Sequence, residues 1–582
     1  MKKRLLMVLS MVLALTLVLA ACGSKPEAEG DKPAAEQGQT ATEGTTNEEG
    51  LVTEGVIAAA DPSLNPEAAL ARKDTMIIGT TDPSGIFNPL FAESAYDMYI
   101  TESIFASLLR PQKDGSYESW LADMSVSDDN KTFTFVIKDG AKFSDGTPVT
   151  AEDVAFTITM LYDKDYDGPT DVMQYAPLVG AQEYKDGTAT SIAGIKVVDE
   201  KTVEFTTTDV KVLATSVFGT TGIMPKHVFG DAYKQGNLGG IRDAFTKPVG
   251  AGPYVLTEYH AGQEVRLVAN ENYIDGTPAI KNMIFKTTTE ETAMQLVQTG
   301  ETDFQDGTVS KDQVEEIESF GFADQVLNPT NGYGYIAFNN NDPKYADPKV
   351  RQALTYGLNR QEIIDIVFQG YANVVNIPQS KVSWAYTDEV NGYEYDPEKA
   401  KQLLDEAGWV VGADGIREKD GVKFKINFSA SSPNSVNDAL IPVAQKNYKD
   451  LGIEFVADQM DFNTILDKFN KGNYEMLFLA AGLTPDPQDS EGTFRTGGSQ
   501  NKTGYSNAKV DELYQKAGAT LDQEERKGYF KEIYQTINED LPMMFVYQRR
   551  DLWVVNSRIE GFDISPLRHY SFELGKLSIK EQ

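Results

Sequence analysis

The chain has 582 residues, which is too long for one hydrophobic core and predicts two or three domains. Its 53 Lys and Arg residues against 87 Asp and Glu residues give a formal net charge of −34, which excludes a nucleic-acid-binding or polybasic membrane-surface protein. Hydrophobic residues still make up 41% of the chain, so it is no acidic disordered protein. With one cysteine and three histidines, disulfide frameworks, zinc-finger spacings and iron–sulfur clusters are excluded.

The N-terminus has the features of an export signal. Lys2, Lys3 and Arg4 precede an uncharged apolar run from Leu5 to Ala21, which is too short for a stable transmembrane helix and predicts a signal peptide over residues 1–21. The run ends in Leu-Ala-Ala-Cys-Gly, which resembles a bacterial lipobox, so we expect the Cys22 thiol to carry diacylglycerol, with palmitate as a typical acyl chain. The alternative is an ordinary secretory signal with a chance cysteine. We therefore expect a lipoprotein on the extracytoplasmic face of the bacterial cell membrane, at the cell surface or in the periplasm.

The segment after the signal has the composition of a linker. Residues 22–73 are rich in Glu, Ala, Gly, Thr and Pro, and the first aromatic residue of the chain is Phe87. A segment of this kind buries too little apolar surface to offset the entropy of ordering. We predict a disordered acidic tether over 22–73.

Strand and helix signals alternate beyond this segment. Residues 76–79 predict a buried strand, and the alternation of Phe133, Phe135 and Ile137 predicts another. Thr150, with an acid three residues later, predicts a helix N-cap. Three further helices are predicted by caps at Asp347, Asn359 and Asp396. Mixed elements of this kind favour an α/β architecture.

Catalytic and metal-binding motifs are scarce. The sequence contains no G-x-S-x-G elbow, no H-E-x-x-H, no Walker A loop and no dinucleotide fingerprint, so we expect a protein that is not an enzyme and needs no cofactor or metal. His227, His260 and His569 are isolated in the sequence, and we interpret them as structural or surface residues. Residues 163–168 reproduce the first half of an EF-hand loop, but Gln174 stands where the loop needs a bidentate Glu. Calcium binding there stays open beside the simpler interpretation of an acidic turn.

Several segments, taken together, indicate a family. Residues 142–154 (KFSDGTPVTAEDV) closely resemble the signature of the extracellular solute-binding proteins of peptide ABC transporters, family 5. Further matching segments follow in the family's order: 248–254 (with Ala251 in place of the usual Thr), 270–273, 300–303, 350–354 and 504–507. The resemblance covers about residues 74–565.

The resemblance implies a fold and a division of the chain. Members of this family resemble a closing clamp, similar to periplasmic binding proteins, with two α/β lobes, an extra domain inserted in the first lobe, and the ligand between the lobes. Transferred to this chain, lobe I takes 74–110, 246–337 and 546–582. The inserted domain takes 111–245, and lobe III takes 338–545.

The resemblance also implies a function. It predicts a monomeric receptor that captures peptides between its lobes and delivers them to an ABC import permease in transmembrane transport. A ligand that contacts both lobes selects the closed state. Within the same family, the alternative is capture of another solute, such as a metal chelate, an opine or an oligosaccharide.

Three segments are expected to contact the ligand. They are an early loop, a stretch after the 300–303 block, and the segment 480–487, which lies where the family often shows G-W-x-x-D before D-P. The family's Asp that pairs with a peptide ammonium falls here on Leu483 or Thr484, and Asp486 and Asp306 are the nearest carboxylates. Asp486 has an alternative role in the turn before Pro487. Four aromatic residues nearby are candidate pocket walls, although each could equally belong to the core. The expected ligand-binding residues are Ser84, Gly85, Gln305, Asp306, Gly307, Tyr333, Tyr335, Phe462, Leu483, Thr484, Asp486 and Tyr505.

Overall fold

The computed structural model describes residues 45–47, 50–244, 247–307 and 309–581. The predicted signal peptide, Cys22 and the first half of the predicted tether lie outside these residues. Within the described part of the chain, no helix is long and apolar enough to cross a membrane.

We name the parts of the fold by the division expected from the sequence, in which lobe I consists of three stretches of chain and the first two flank an inserted domain. The first stretch contains β1 (Thr45–Thr46), β2 (Val52–Ile57), a 3₁₀ turn (Pro62–Leu64), α1 (Glu67–Leu70), β3 (Thr75–Thr80) and α2 (Ala95–Ile104). The inserted domain contains β4 (Leu109–Pro111), β5 (Tyr117–Ser119), β6 (Ala122–Val126), β7 (Thr132–Ile137), α3 (Ala151–Leu161), α4 (Val172–Tyr175), α5 (Ala181–Lys185), β8 (Ile195–Val197), β9 (Thr202–Thr206), α6 (Ala214–Thr220), α7 (Lys226–Phe229), a 3₁₀ turn (Gly230–Ala232) and α8 (Gly239–Asp243). The second stretch contains β10 (Tyr254–His260), β11 (Glu264–Ala269), β12 (Asn282–Thr287), α9 (Glu290–Gln298), β13 (Phe304–Gly307), α10 (Lys311–Glu318) and β14 (Ala323–Pro329).

Lobe III follows, and the chain then returns to lobe I. Lobe III contains β15 (Gly332–Phe338), α11 (Pro348–Tyr356), α12 (Arg360–Phe368), β16 (Ala372–Asn373), α13 (Pro397–Glu406), β17 (Val410–Val411), β18 (Arg417–Lys419), β19 (Val422–Lys423), β20 (Lys425–Ser431), α14 (Ser435–Asp450), β21 (Glu454–Met460), α15 (Phe462–Lys471), β22 (Met476–Gly482), a 3₁₀ helix (Pro487–Ser490), α16 (Glu491–Phe494), α17 (Ala508–Ala519) and α18 (Gln523–Asp540). The return contains β23 (Met543–Asn556), β24 (Ile559–Glu560), a 3₁₀ helix (Tyr570–Lys576) and β25 (Ser578–Ile579).

The long strand β23 joins the two lobes. Its C-terminal half pairs with β13 and β14 of lobe I, and its N-terminal half pairs with β15, which in turn pairs with β22. The chain therefore crosses between lobes at 329–332 and at 547–550, which we call the hinge. The boundary expected at 337 falls inside β15, a strand of the lobe III sheet, because the crossover precedes this strand instead of following it.

The inserted domain packs on lobe I as one body with it. Its four-stranded sheet β6-β7-β9-β8 shares a continuous apolar core with lobe I, in which Phe135 and Ile78 are both fully buried. Polar contacts join the two as well, since the Ser144 amide donates to the Gly250 carbonyl at 2.8 Å. Two further apolar clusters lie on the two faces of the lobe III sheet, and one of them continues into α10, β14 and the C-terminal half of β23 in lobe I.

The expected elements form where the sequence placed them, and their caps explain why. Thr150 and Asp153 make a reciprocal capping box at α3. Asp347, Asn359 and Asp396 each accept a backbone hydrogen bond at the start of α11, α12 and α13. The strands expected at 76–79 and 133–137 lie within β3 and β7.

The C-terminal part of the predicted tether differs from the expectation. Residues 52–57 form β2, which pairs antiparallel with β14, and Thr53 is buried. The Arg550 side chain donates to the Thr53 carbonyl at 3.4 Å, and Ala69 is fully buried. The segment from 50 to 73 is therefore part of lobe I, because an existing sheet edge satisfies the backbone of a segment that could not form a core alone.

Candidate functional site

The candidate site is the cleft between lobe I with its inserted domain and lobe III. Across this cleft the two bodies touch. The Val212 amide of the inserted domain donates to the Gly518 carbonyl of lobe III at 3.1 Å. A Cβ on Gly115, which has a φ of +81°, would lie 2.9 Å from the Pro485 side chain. These contacts define a closed arrangement of the clamp.

A cavity of about 790 Å³ opens at the lobe III side of this cleft. It lies at the carboxyl ends of the parallel strands β20 and β22, the position where open α/β sheets bind ligands. The N-terminus of α14, the C-terminal turn of α12 and the exposed ring of Phe462 line it, and Ser310 and Arg549 close it from the lobe I side. Its lining mixes apolar side chains with hydroxyl and amide groups, which suits a ligand with both kinds of surface.

The lobe I wall of the cleft is aromatic and acidic. Asp306 lies opposite Trp553 in the β13–β23 pairing, and the Trp553 ring stacks on Phe304 at 5.5 Å between centroids. Asp306 is exposed to solvent, yet burial against the surrounding walls raises its pKa, and the Gln305 side chain, which donates to it at 2.9 Å, offsets part of that rise. A carboxylate that is accessible and closely surrounded at once lies in a concave surface.

Two cations of the chain lie beside the carboxylates of this wall. Burial raises the pKa of Asp551, while the charge of Arg549, 3.4 Å away, and a hydrogen bond from Thr330 oppose the rise. His569 lies 3.2 Å from Glu102; burial lowers the pKa of His569, but the Glu102 charge outweighs it, so the pKa is raised.

The lobe III edge of the cleft carries Asp486 and Asp489. Both oxygens of Asp486 accept hydrogen bonds from Arg526, at 2.6 and 2.9 Å, and one also caps the 3₁₀ helix through the Gln488 amide. Asp489 is half-buried, and burial raises its pKa, although the hydroxyls of Tyr175 and Thr484 act in the opposite sense. Tyr175 belongs to the inserted domain, so this edge is completed across the cleft.

The structure divides the expected ligand-binding residues into two groups. Asp306, Phe462 and Thr484 are exposed, Asp306 and Phe462 on the cleft walls and Thr484 beside Asp489. Leu483 is bound to the hinge, because the Asn331 side chain of the hinge donates to the Leu483 carbonyl at 2.8 Å. Asp486 pairs with Arg526 and caps the turn at Pro487, and a role in this turn is the alternative expected from the sequence.

The other expected residues face the interior or hold loops. Tyr333, Tyr335 and Tyr505 belong to the buried cluster under α17 and α18, so for them the core interpretation is the one the structure shows. Gln305 is buried against Gly79, and a Cβ added to Gly79 would lie 1.7 Å from the side-chain oxygen of Gln305. Gly307 packs on Leu552.

The early loop is organised by a buried acid. The Ser84 hydroxyl donates to Asp97 at 2.6 Å, and the Gly85 amide donates to the same carboxylate at 2.8 Å. Gly85 has a φ of +86°, and its α-carbon faces the ring of Tyr259, which leaves no room for a side chain. The loop is thus rigidly held, with Ser84 itself exposed.

The carboxylates of the acidic turn at 163–168 are bound by donor groups of the protein itself. Asp163 accepts from the Tyr233 hydroxyl and from the Gly236 amide, and Asp165 accepts from the Leu238 amide at 2.7 Å. Asp167 pairs with Arg242. In the part of the chain that the structure describes, no group of three His, Cys, Asp or Glu residues could hold a metal ion.

The sequence alone did not indicate several residues of the cleft. Tyr175, Arg549 and Trp553 are distant in sequence from the segments that the resemblance marks as ligand-facing, whereas Asp489 lies beside one of them. Only Asp489 offered a signal, since it lies three residues after Asp486 in the same acidic turn.

A two-lobed α/β clamp with an inserted domain, joined by two crossovers around a polar cleft, is the architecture of a solute-binding protein. The family model of the bacterial extracellular solute-binding proteins, family 5, matches residues 116–505, and the chain belongs to this family. Its members are binding proteins.

Individual relatives agree with this assignment. The chain is 28% identical over 502 residues to the oligopeptide-binding protein AppA of Bacillus subtilis, covering 85% of this chain and 89% of that protein. It is 26% identical over 485 residues to the dipeptide-binding protein of Escherichia coli, covering 79% and 85%. The solved structure of AppA in complex with a nonapeptide superimposes with a TM-score of 0.74 at 26% identity, covering 88% of this chain and 99% of that one.

Proposed function

We propose that this protein captures peptides in the cleft between lobe I and lobe III and delivers them to an ABC import permease. The observation that carries the proposal is the closed cleft, with its cavity of about 790 Å³ at the carboxyl edge of the lobe III sheet. A space of this size accommodates several amino-acid side chains, and its mixed lining suits the alternation of apolar groups and backbone amides in a peptide.

The relatives support peptides over other solutes. AppA of Bacillus subtilis is an oligopeptide-binding protein whose solved structure holds a nonapeptide, and the relative from Escherichia coli binds dipeptides. The proposed action is binding and release, with no covalent step. Closure follows from the ligand's contacts with both walls, and the monomer presents the closed form to the permease.

Native mass spectrometry tests the ligand class. The protein is purified from cells and compared with the same protein refolded free of ligand. The expected result is a ladder of peptide masses on the first sample and none on the second. A single discrete mass, such as a metal chelate, an opine or an oligosaccharide, would overturn the peptide assignment and favour the non-peptide alternative.

The proposed location is the extracytoplasmic face of the cell membrane, through a lipid on Cys22. The basic, apolar and small-residue order of residues 2–22 supports this proposal. The expected result for Cys22→Ala is release from the membrane fraction with unchanged peptide affinity, because the anchor lies outside the clamp. Membrane association that persists in this variant would mean that another anchor exists.

A further inference from the structure

The first described part of the chain lies at the hinge. It consists of residues 45–47 and 50–57, which contain β1 and β2 and which we call the strap. The strap precedes the family resemblance at 74–565 and the match of the family model at 116–505, so neither accounts for its presence. What it does follows from its contacts with the two lobes.

Backbone pairing attaches the strap to lobe I. β2 pairs antiparallel with β14, with Val56 opposite Val326, and β1 pairs with β2. The Asn47 side chain accepts a hydrogen bond from the Leu51 amide at 2.9 Å, and the Asn47 amide donates to the Leu51 carbonyl at 3.0 Å, which holds the turn between the two strands. This pairing satisfies the backbone of the strap, so the strap moves with lobe I.

Polar contacts attach the same strap to lobe III. The Asn47 side-chain amide donates to the Gly370 carbonyl, just after α12, at 3.5 Å. Arg550, at the end of the hinge, donates to the Thr53 carbonyl at 3.4 Å and also to the side-chain oxygen of Asn373 in β16. One guanidinium group therefore joins the strap to a strand of lobe III.

Apolar packing crosses the hinge beneath the strap. Leu51 and Ile57 pack against the apolar cluster that contains Leu327 of lobe I and Phe368 of lobe III. Side chains alternate along a strand, and Val56, on the opposite face of β2 from Ile57, is exposed. The strap therefore covers a cluster to which both lobes contribute.

The end of α12 connects the strap with the ligand cavity. Phe368 and Gln369 line the cavity, and the strap contacts the next residue, Gly370. Gln369 also reaches lobe I, because the Asp312 amide of α10 donates to its side-chain oxygen at 3.4 Å and its side-chain nitrogen donates to the Asp312 carboxylate at 3.4 Å. The turn that borders the cavity thus contacts lobe I and the strap at the same time.

We propose that the strap stabilises the closed clamp by bridging lobe I and lobe III at the hinge, and that it thereby slows the release of a bound peptide. Opening turns lobe III relative to lobe I about the two crossovers. Because the strap is paired with lobe I, its links to Gly370 and Asn373 of lobe III must stretch or break during this rotation. Contacts that are made in one state alone shift the equilibrium toward that state. The inference rests on the proposed peptide capture, since a bound peptide is the probe of closure.

The proposal requires a reciprocal effect. If the strap favours the closed state, a ligand that favours the closed state must hold the strap more firmly, by the same factor. Glu54 allows this to be measured, because it is exposed on β2 while its backbone is paired with β1 at Thr45. A glutamyl endopeptidase cleaves after Glu54 only when the strap leaves the sheet, so the cleavage rate measures detachment.

The experiment measures peptide release from variants of the full chain. The probe is the most abundant peptide that the purified protein releases, synthesised with an isotope label and chased with the unlabelled peptide. Ile57→Asp places a charge against the shared apolar cluster, and Asn373→Ala removes the lobe III acceptor of Arg550 at an exposed position. Each should raise the dissociation rate by about fivefold, the equivalent of one hydrogen bond. Val56→Asp adds the same charge on the exposed face of the same strand and should leave the rate unchanged.

Cleavage after Glu54 supplies the second test. In the wild type, the same peptide should slow this cleavage by about fivefold, and free glycine should not. A dissociation rate unchanged in both Ile57→Asp and Asn373→Ala, or a cleavage rate that the peptide leaves unchanged, would overturn the role of the strap and leave peptide capture intact. An equal acceleration of release by Val56→Asp would assign the effect to the added charge and also overturn that role. Purified protein that releases no peptide would refute the proposed function, and this inference with it.

Discussion

The two walls of the cleft both present carboxylates, but they differ in what balances the charge. On the lobe I wall, Arg549 lies beside Asp551 and His569 beside Glu102. On the lobe III edge, Asp486 pairs with Arg526, whereas no ion pair of the described residues includes Asp489. The lobe I wall also holds Asp306, which takes part in no ion pair of the described residues and accepts a hydrogen bond from the Gln305 side chain at 2.9 Å. Each wall therefore holds one carboxylate without an ion pair among the described residues, Asp306 on the lobe I wall and Asp489 on the lobe III edge.

The largest expected effect comes from making Asp486 resemble Asp489. Arg526→Met removes the cation and leaves a partly buried carboxylate unpaired, so we expect the free energy of unfolding to fall by about 3 kcal/mol. Urea denaturation monitored by circular dichroism measures it. The double variant Asp486→Asn, Arg526→Met should recover part of the loss, because it removes the stranded charge. A single variant as stable as the wild type would show that Arg526 does not neutralise Asp486.

The second largest expected effect concerns closure of the cleft by a bound peptide. If the ligand holds the inserted domain against lobe III, a peptide at a hundredfold excess over its dissociation constant should raise the free energy of unfolding by about 2.7 kcal/mol. Small-angle X-ray scattering should show a lower radius of gyration with the peptide than without it, and free glycine at the same concentration is the control. Identical scattering curves with and without a bound peptide would contradict closure by the ligand.

The sequence predicted the fold better than the site, and the reason lies in what the family segments do. Asp303 is buried and paired with Arg558 and Arg72. Arg351 donates to four backbone carbonyls, two at the end of α18 and two just before α11. These residues are recognisable because they build the scaffold. Asp489 and Tyr175 meet only through the packing of two distant bodies, and no local pattern marks such a meeting.

The N-terminal segment also shows why the sequence alone could not predict every part of the fold. Residues 52–57 have a composition typical of a linker, and alone they would bury too little surface to fold. In the structure they add to the edge of β14, with Val56 opposite Val326 and Gly55 opposite Leu327. Composition describes what a segment can do alone, and an available sheet edge changes the outcome.

The smallest expected effect tests the internal balance of the lobe I wall. Glu102 raises the pKa of His569 against the effect of burial, so Glu102→Gln should lower that pKa, and the chain's three histidines allow its resonance to be assigned by NMR titration. A raised pKa in the folded state stabilises the protein below the pKa of the unfolded chain, and this stability is lost as pH rises through the folded value. The wild type should therefore exceed Glu102→Gln in stability at pH 5.5 and lose most of that advantage by pH 8.5. The difference should stay below about 1 kcal/mol, because 43% of the His569 side chain is exposed to solvent. His260→Gln leaves the cleft untouched and serves as the control. An unchanged His569 titration in Glu102→Gln would mean that Glu102 does not raise the pKa of His569.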